Sequence, residues 1–256
     1  MMTPRWPERL WIVRHGESAG NVARDFAYQQ GLARIDLTGR DVDVPLSPLG
    51  EQQARALGHW FSQGHEEGRP NVMLSSPYLR AMETARIFRE AGGCPAESRI
   101  HLDERLREKE FGILDGLTGI GIRAEHPLQA ELRASLGKFY HRPPGGESWC
   151  DVIFRLRALM DTVGLHHGGC RVMIVAHQVV VLCLRYIIEG LTEQEILAID
   201  REGDVANCSI TEYRWEAGEE GTDGGMALVR YNVTAPMEAE QTPVTREPDA
   251  IVGNRG

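Results

Sequence analysis

Three short apolar runs each end in polar, chemistry-bearing residues, and this limits the fold more than any other feature of the sequence. Leu10 to Val13 (LWIV) runs into Arg14, His15 and Gly16; NVMLSSP, from Asn71, ends in Ser75, Ser76 and Pro77; RVMIVAH, from Arg171, ends in His177. Runs of this length read as buried strands. Between them lie helical patterns. Ala54, Leu57, Trp60 and Phe61 recur at three- and four-residue spacing after Pro48, and Tyr78 to Ala91 is closed by Gly92 and Gly93. Ser148 is placed to cap a helix carrying Ile153, Leu156, Met160 and Val163 on one face, and Val179 to Glu189 follows the third run. Ile100 to Leu102 reads as a weak strand. Strands alternating with such helices predict an α/β three-layer sandwich, with a mainly parallel central sheet and helices on both faces. Ligands then bind beyond the carboxyl ends of the strands. CSITEYRW and MALVRYNV alternate around the Gly-rich EAGEEGTDGG, which predicts an antiparallel hairpin and hence an antiparallel edge strand.

The 256 residues are enough for a large core without disulfides or a structural metal. We read residues 1–234 as a single domain. From Ala235 to Gly256 there are three prolines, no aromatics and little apolar periodicity, so a frayed, flexible tail is expected. Acidic residues exceed basic ones 37 to 28, giving a formal charge of -9, and no Lys/Arg-rich stretch occurs. Nucleic acid and anionic membrane are therefore poor partners. The five cysteines are odd in number with no CxxC pair, which fits a reducing cytoplasm and no zinc site. No export signal is read at the N-terminus, and the most apolar stretch is interrupted by His177, Gln178 and Arg185. An edge strand near Met226 to Val233 leaves a homodimer open.

An isolated histidine after a strand is more often structural than catalytic, but His15 has company. Arg14 supplies a permanently charged planar fork, and Arg80 and His177 occur at comparable places after two other strands. Gly16 allows close backbone approach, and Glu17, Ser18 and Asn21 follow. Four groups that are or can become cationic, at adjacent strand ends, predict an anion pocket in an otherwise acidic protein. A neutral imidazole there has one lone pair for nucleophilic attack, while surrounding cations stabilise charge on a transferring group. That design calls for no metal or cofactor, and the sequence has no HxxxH or HExxH pattern.

The sequence resembles the histidine phosphatase superfamily, the group of cofactor-dependent phosphoglycerate mutases and fructose-2,6-bisphosphatases. The matching pieces are RHGESAGN (Arg14 to Asn21), PLSPLGEQQA (Pro45 to Ala54), SSPYLRAMETA (Ser75 to Ala85), LREKEFGILDG (Leu106 to Gly116), PGGES (Pro144 to Ser148) and VAHQ (Val175 to Gln178). They stand in family order across most of residues 10 to 190. The resemblance implies a phosphohistidine on His15, with Arg14, Arg80 and His177 holding the phosphoryl oxygens and Asn21 as a further polar contact. It places the proton donor at Glu108, with Glu104 and Glu110 as competitors. A small phosphorylated metabolite would be the substrate.

PGGES followed by His177-Gln178, together with Lys138, is similar to the fructose-2,6-bisphosphatase domain. Leu182 stands where that domain carries an Arg, and Arg133 is offset by one from another. The mutases carry an Arg-Arg-Ser-Tyr-type segment that is lacking between Leu117 and Pro143, so a phosphatase is expected ahead of a mutase. A non-catalytic phosphate-binding module is a further alternative, against which the pairing of His15 with Glu108 speaks. Between Asn21 and Pro45 the chain is longer than the family segment by about ten residues, a length that often signals function. Arg24, Arg34 or Arg40 from this loop, with Lys138, Tyr140 and Arg142, are expected to set substrate choice. Ser18 and Gln178 complete the candidate substrate contacts.

Overall fold

The structure, a computed structural model, describes residues 5–37, 39–64, 68–218 and 224–246. Six strands form one sheet: β1 (Arg9–Arg14), β2 (Val72–Ser75), β3 (Ile100–Leu102), β4 (Arg171–Ala176), β5 (Ile210–Glu216) and β6 (Gly225–Val233). Their order is β3-β2-β4-β1-β5-β6. β1, β4, β2 and β3 run parallel, while β5 is antiparallel to β1 and β6 antiparallel to β5. The expected sandwich and antiparallel edge are both present.

Alternation along the strands sorts the core into two layers. Leu10, Ile12, Val172 and Ile174 pack on one face with α6 (Trp149–His166) and α7 (Gln178–Ile188). Trp11, Val13, Met173 and Val175 pack on the other with α2 (Pro48–Ser62) and α3 (Leu79–Glu90). Register then aligns the strand ends. Arg14 lies opposite Ala176, and Ser75 lies opposite both Val175 and Leu102. The backbone N–H groups of His15 and Ser76 donate to Ala176 and Val175 at 2.9 and 3.0 Å. Residues 15, 76 and 177 therefore emerge side by side along one edge of the sheet.

Two expectations change. The segment after Asn21 is only partly loop, because Ser18 caps α1 (Ala19–Gln29) through a capping box with Asn21. Irregular chain resumes over 30–37 and 39–44, tied down by Ile35 N–H donating to the Gly116 carbonyl and by a short 3-10 turn at Asp41–Asp43. The frayed tail does not begin at Ala235. Residues 235–239 form a short helix whose Met237 is fully buried beside α2 and α3. Gln53 Nε2 then donates to the Pro243 carbonyl and the Thr245 hydroxyl at 3.0 and 2.9 Å. One apolar anchor and a buried amide order what composition alone reads as a tail; residues 247–256 of that expected tail lie outside the described residues. Among the described residues no helix is long and apolar enough to cross a membrane.

Candidate active site

Gly16 starts the site by what it lacks. A Cβ there would lie 2.5 Å from the Gly50 carbonyl oxygen, and one on Gly50 would lie 1.9 Å from that of Glu17. Two glycines thus let the turn after β1 press against the first turn of α2. Across it, Gly16 N–H donates to Thr84 Oγ1 on α3, and Thr84 donates back to the Arg80 carbonyl. The histidine turn and the helix carrying Arg80 are thereby locked together.

His15 is 3% exposed, Arg14 4%, Arg80 5% and His177 0%. His15 Nδ1 donates to the Gly16 carbonyl at 2.7 Å, which fixes the tautomer and leaves Nε2 as the nitrogen that carries the lone pair. Arg80 Nε points at that nitrogen from 3.3 Å. The two imidazoles meet edge to face, ring centres 5.1 Å apart. Ser76 Oγ holds His177 Nε2 at 2.8 Å, while the buried His177 Nδ1 makes no hydrogen bond. Burial, reinforced by Arg80 and Arg14, holds the His15 pKa well below its ordinary value. Burial and Arg80 do the same for His177. Both rings are neutral at pH 7, the state in which an imidazole is a nucleophile.

Arg14, His15, Ser18 and Asn21 line one side of the cavity, with Arg80 and Glu108 on its walls. Of the three competing glutamates, only Glu108 lines it, its Oε2 being 3.9 Å from His177 Nδ1. Glu110 instead accepts from the Tyr78 hydroxyl, and Glu104 sits in a 3-10 turn at Glu104–Leu106. A clamp steadies the Glu108 segment. Arg155 donates to the Glu108 carbonyl and to both oxygens of Glu147, and Glu147 accepts from the Glu110 N–H. Among the described residues, no group of three or more His, Cys, Asp or Glu could hold a metal ion.

Several expected substrate contacts lie elsewhere. Lys138 pairs with Asp200 on α8 (Glu193–Glu202) at 2.5 Å and covers the Trp149 ring. Arg142 pairs with Asp151, which is engaged in the capping box of α6, and Tyr140 donates to Glu193. Gln178 turns its amide to Asp204. Each of these side chains is held by a carboxylate, and none of them lines the cavity. Arg34 and Arg40 are likewise engaged at the surface, with Glu125 and Asp43. Of the three loop arginines only Arg24 reaches the cavity.

The wall residues that sequence reasoning missed are acidic and apolar. Asp41 grips Arg80: its Oδ1 and Oδ2 accept from Nη1 and Nη2 at 3.0 and 3.1 Å, and its carbonyl accepts from Nη1 at 2.8 Å. Asp115, Leu37 and Phe111 complete the entrance. Asp115 stands within a motif already singled out, LREKEFGILDG, but nothing in the local pattern distinguishes it from a surface carboxylate.

The histidine phosphatase superfamily (branch 1) family model matches residues 10–232. The chain belongs to that superfamily. It is similar to two proteins named "Probable phosphoglycerate mutase GpmB". One, from Serratia proteamaculans (strain 568), is 29% identical over 205 residues, 79% of this chain and 83% of that protein. The other, from Enterobacter sp. (strain 638), is 30% identical over 204 residues, with the same coverage. Among solved structures, a mycobacterial glucosyl-3-phosphoglycerate phosphatase with inorganic phosphate superposes with TM-score 0.66 at 27% identity, covering 90% of this chain and 99% of that one.

Proposed function

We propose that this histidine phosphatase superfamily member hydrolyses small phosphomonoesters through a phosphohistidine on His15, with Glu108 as proton donor. The observation that carries the reading is the fixed tautomer: with Nδ1 committed to the Gly16 carbonyl, Nε2 keeps the lone pair, held by Arg80 Nε–H at 3.3 Å, and the ring lines a pocket walled by Arg14, Arg80 and Glu108. In the first step Nε2 forms a bond to phosphorus as the ester P–O bond breaks, and the departing alkoxide takes the Glu108 proton. Arg14 and Arg80 stabilise charge on the equatorial oxygens, and His177 Nδ1 is placed to do so once it donates. In the second step Glu108, now a carboxylate, takes a proton from water; the water oxygen attacks phosphorus, the P–N bond breaks and phosphate leaves.

Phosphoryl return to a second hydroxyl, the mutase reaction, is the competing reading, and it is favoured by the names of the two relatives. Against it, a mutase must hold the dephosphorylated product by its other anionic group, and Lys138, Tyr140 and Arg142 are engaged away from the cavity. The test is rapid quench at alkaline pH with a labelled aryl phosphate in EDTA. We expect base-stable, acid-labile label on the native protein, followed by phosphate release, and neither in His15→Ala. Turnover without label, or label surviving in His15→Ala, overturns the reading. Transfer of label to phosphoglycerate faster than release to water makes the protein a mutase.

A further inference from the structure

Arg80 has five N–H groups, and the structure shows where four of them go. Nε–H faces His15 Nε2, both Nη1 hydrogens are taken by the Asp41 carbonyl and Oδ1, and one Nη2 hydrogen by Oδ2. A carboxylate therefore already holds the Nη edge of the guanidinium. Arg80 is nearly buried whereas the Asp41 side chain is 42% exposed, so the carboxylate lies between the cation and solvent.

Asp41 is not alone. Asp115 lines the same cavity, and its pKa is raised by burial and by the nearby Asp41 carboxylate. The remaining guanidinium on this part of the wall, Arg24, stands against two lining carboxylates, Asp41 and Asp115, and opposes the rise in the Asp115 pKa. Leu37 and Phe111 supply the apolar part. The floor favours one phosphoryl group, whereas the entrance offers hydroxyl acceptors, an aromatic face and negative charge.

We propose that Asp41, seconded by Asp115, sets substrate selectivity: the site takes phosphomonoesters whose alcohol portion is uncharged and hydroxyl-bearing, and rejects those carrying a second anionic group. The inference rests on the proposed phosphatase reading and adds to it the chemical class of the leaving group. A carboxylate or second phosphate on the alcohol portion meets like charge in a partly desolvated cleft, where such juxtaposition is strongly disfavoured. A hydroxyl in the same place donates to Asp41 or Asp115.

Glycerol 3-phosphate and 3-phosphoglycerate make a matched pair, differing in a terminal CH2OH against a carboxylate. Binding of each to the His15→Ala protein, measured by calorimetry, separates selectivity from turnover. We expect glycerol 3-phosphate to bind tighter by about tenfold or more. Adding Asp41→Asn narrows that ratio at least about fivefold, by strengthening 3-phosphoglycerate, and adding Asp115→Asn narrows it less. A role for Asp41 limited to bracing Arg80 moves both affinities together and leaves the ratio fixed. Equal affinity in the His15→Ala parent, a ratio unmoved by both substitutions, or binding of neither compound at millimolar concentration overturns the inference. Native protein that binds selectively but turns over neither compound nor any aryl phosphate refutes the phosphatase reading and leaves the selectivity standing.

Discussion

Arg14, His15 and Arg80 at the floor of the cavity, with His177 packed against His15 behind them, are each 5% exposed or less, while at its entrance the Asp41 side chain is 42% exposed and Asp115 lies in a turn beside Gly116. The floor hangs from paired strands. Its members are fixed by sheet register, by the Gly16 to Gly50 contact and by the Thr84 link to α3. Apart from Arg24 on α1, the entrance is made of chain over 37, 39–44 and 107–116 with only short 3-10 turns, joined to its surroundings by contacts such as Ile35 N–H to the Gly116 carbonyl. A site can thus keep its chemistry on rigid backbone and vary its selectivity on loops. On the proposed reading the floor would bind what every phosphomonoester shares, and the entrance would meet what differs among them.

The largest effect expected at the boundary between the two regions is that of Glu108→Gln. Glu108 faces His177 from the segment that leads to the entrance, so the division holds only if it behaves as part of the chemistry. We expect kcat/KM, which reports the step that expels the alcohol, to fall about 10²–10⁴-fold on alkyl phosphates, and much less on a nitrophenyl ester whose leaving group needs no proton. Equal losses on both would make Glu108 a structural residue.

A smaller effect tests the floor through stability. His15 and His177 have folded-state pKa values below the ordinary 6.5 because both are buried beside Arg80. Below pH 6.5 the unfolded chain takes up protons that the folded one refuses. The contribution is complete above that pH and is lost as pH falls toward the folded values, at up to about 1.4 kcal/mol per pH unit for each ring. Urea titrations from pH 7.5 to 5 should show this slope shrink in His177→Asn. An unchanged slope would mean that His177 titrates alike in both states.

The smallest effect sharpens the outer limit of the entrance. Arg142→Ala removes an exposed pair with Asp151, and we expect kcat/KM for every phosphomonoester to stay within about twofold, as for ordinary surface substitutions. A drop confined to anionic substrates would extend the entrance to the end of α5 (Pro127–Tyr140).

Most of the fold was legible because period and punctuation report it locally. LWIV, VMLS and RVMIVA are strands, Ser148 is the cap of α6, and the predicted hairpin is β5 and β6. The floor was legible for the same reason, since residues just after parallel strands share one edge of a sheet whatever the loops do. Lys138, Arg142 and Gln178 lie off the cavity because their side chains are held by partners 62, 9 and 26 residues away along the chain, and no local pattern names Asp200, Asp151 or Asp204. The ordered stretch from 235 to 246 escaped for a related reason: Met237 and Thr245 are held by surfaces that exist only after α2 and α3 have packed.

By itself the sequence determined the alternation of strands and helices, the edge of the sheet beyond the strand ends, and the presence there of Arg14, His15, Arg80 and His177, because hydrophobic period and residue type act over a few residues. Only the tertiary structure decided which carboxylate faces His177, which arginine of the long segment reaches the cavity, and that Asp41 sits on Arg80. Those outcomes depend on distances between residues far apart in the chain, and such distances are set by how the layers pack and where irregular chain is pinned, which no local pattern encodes.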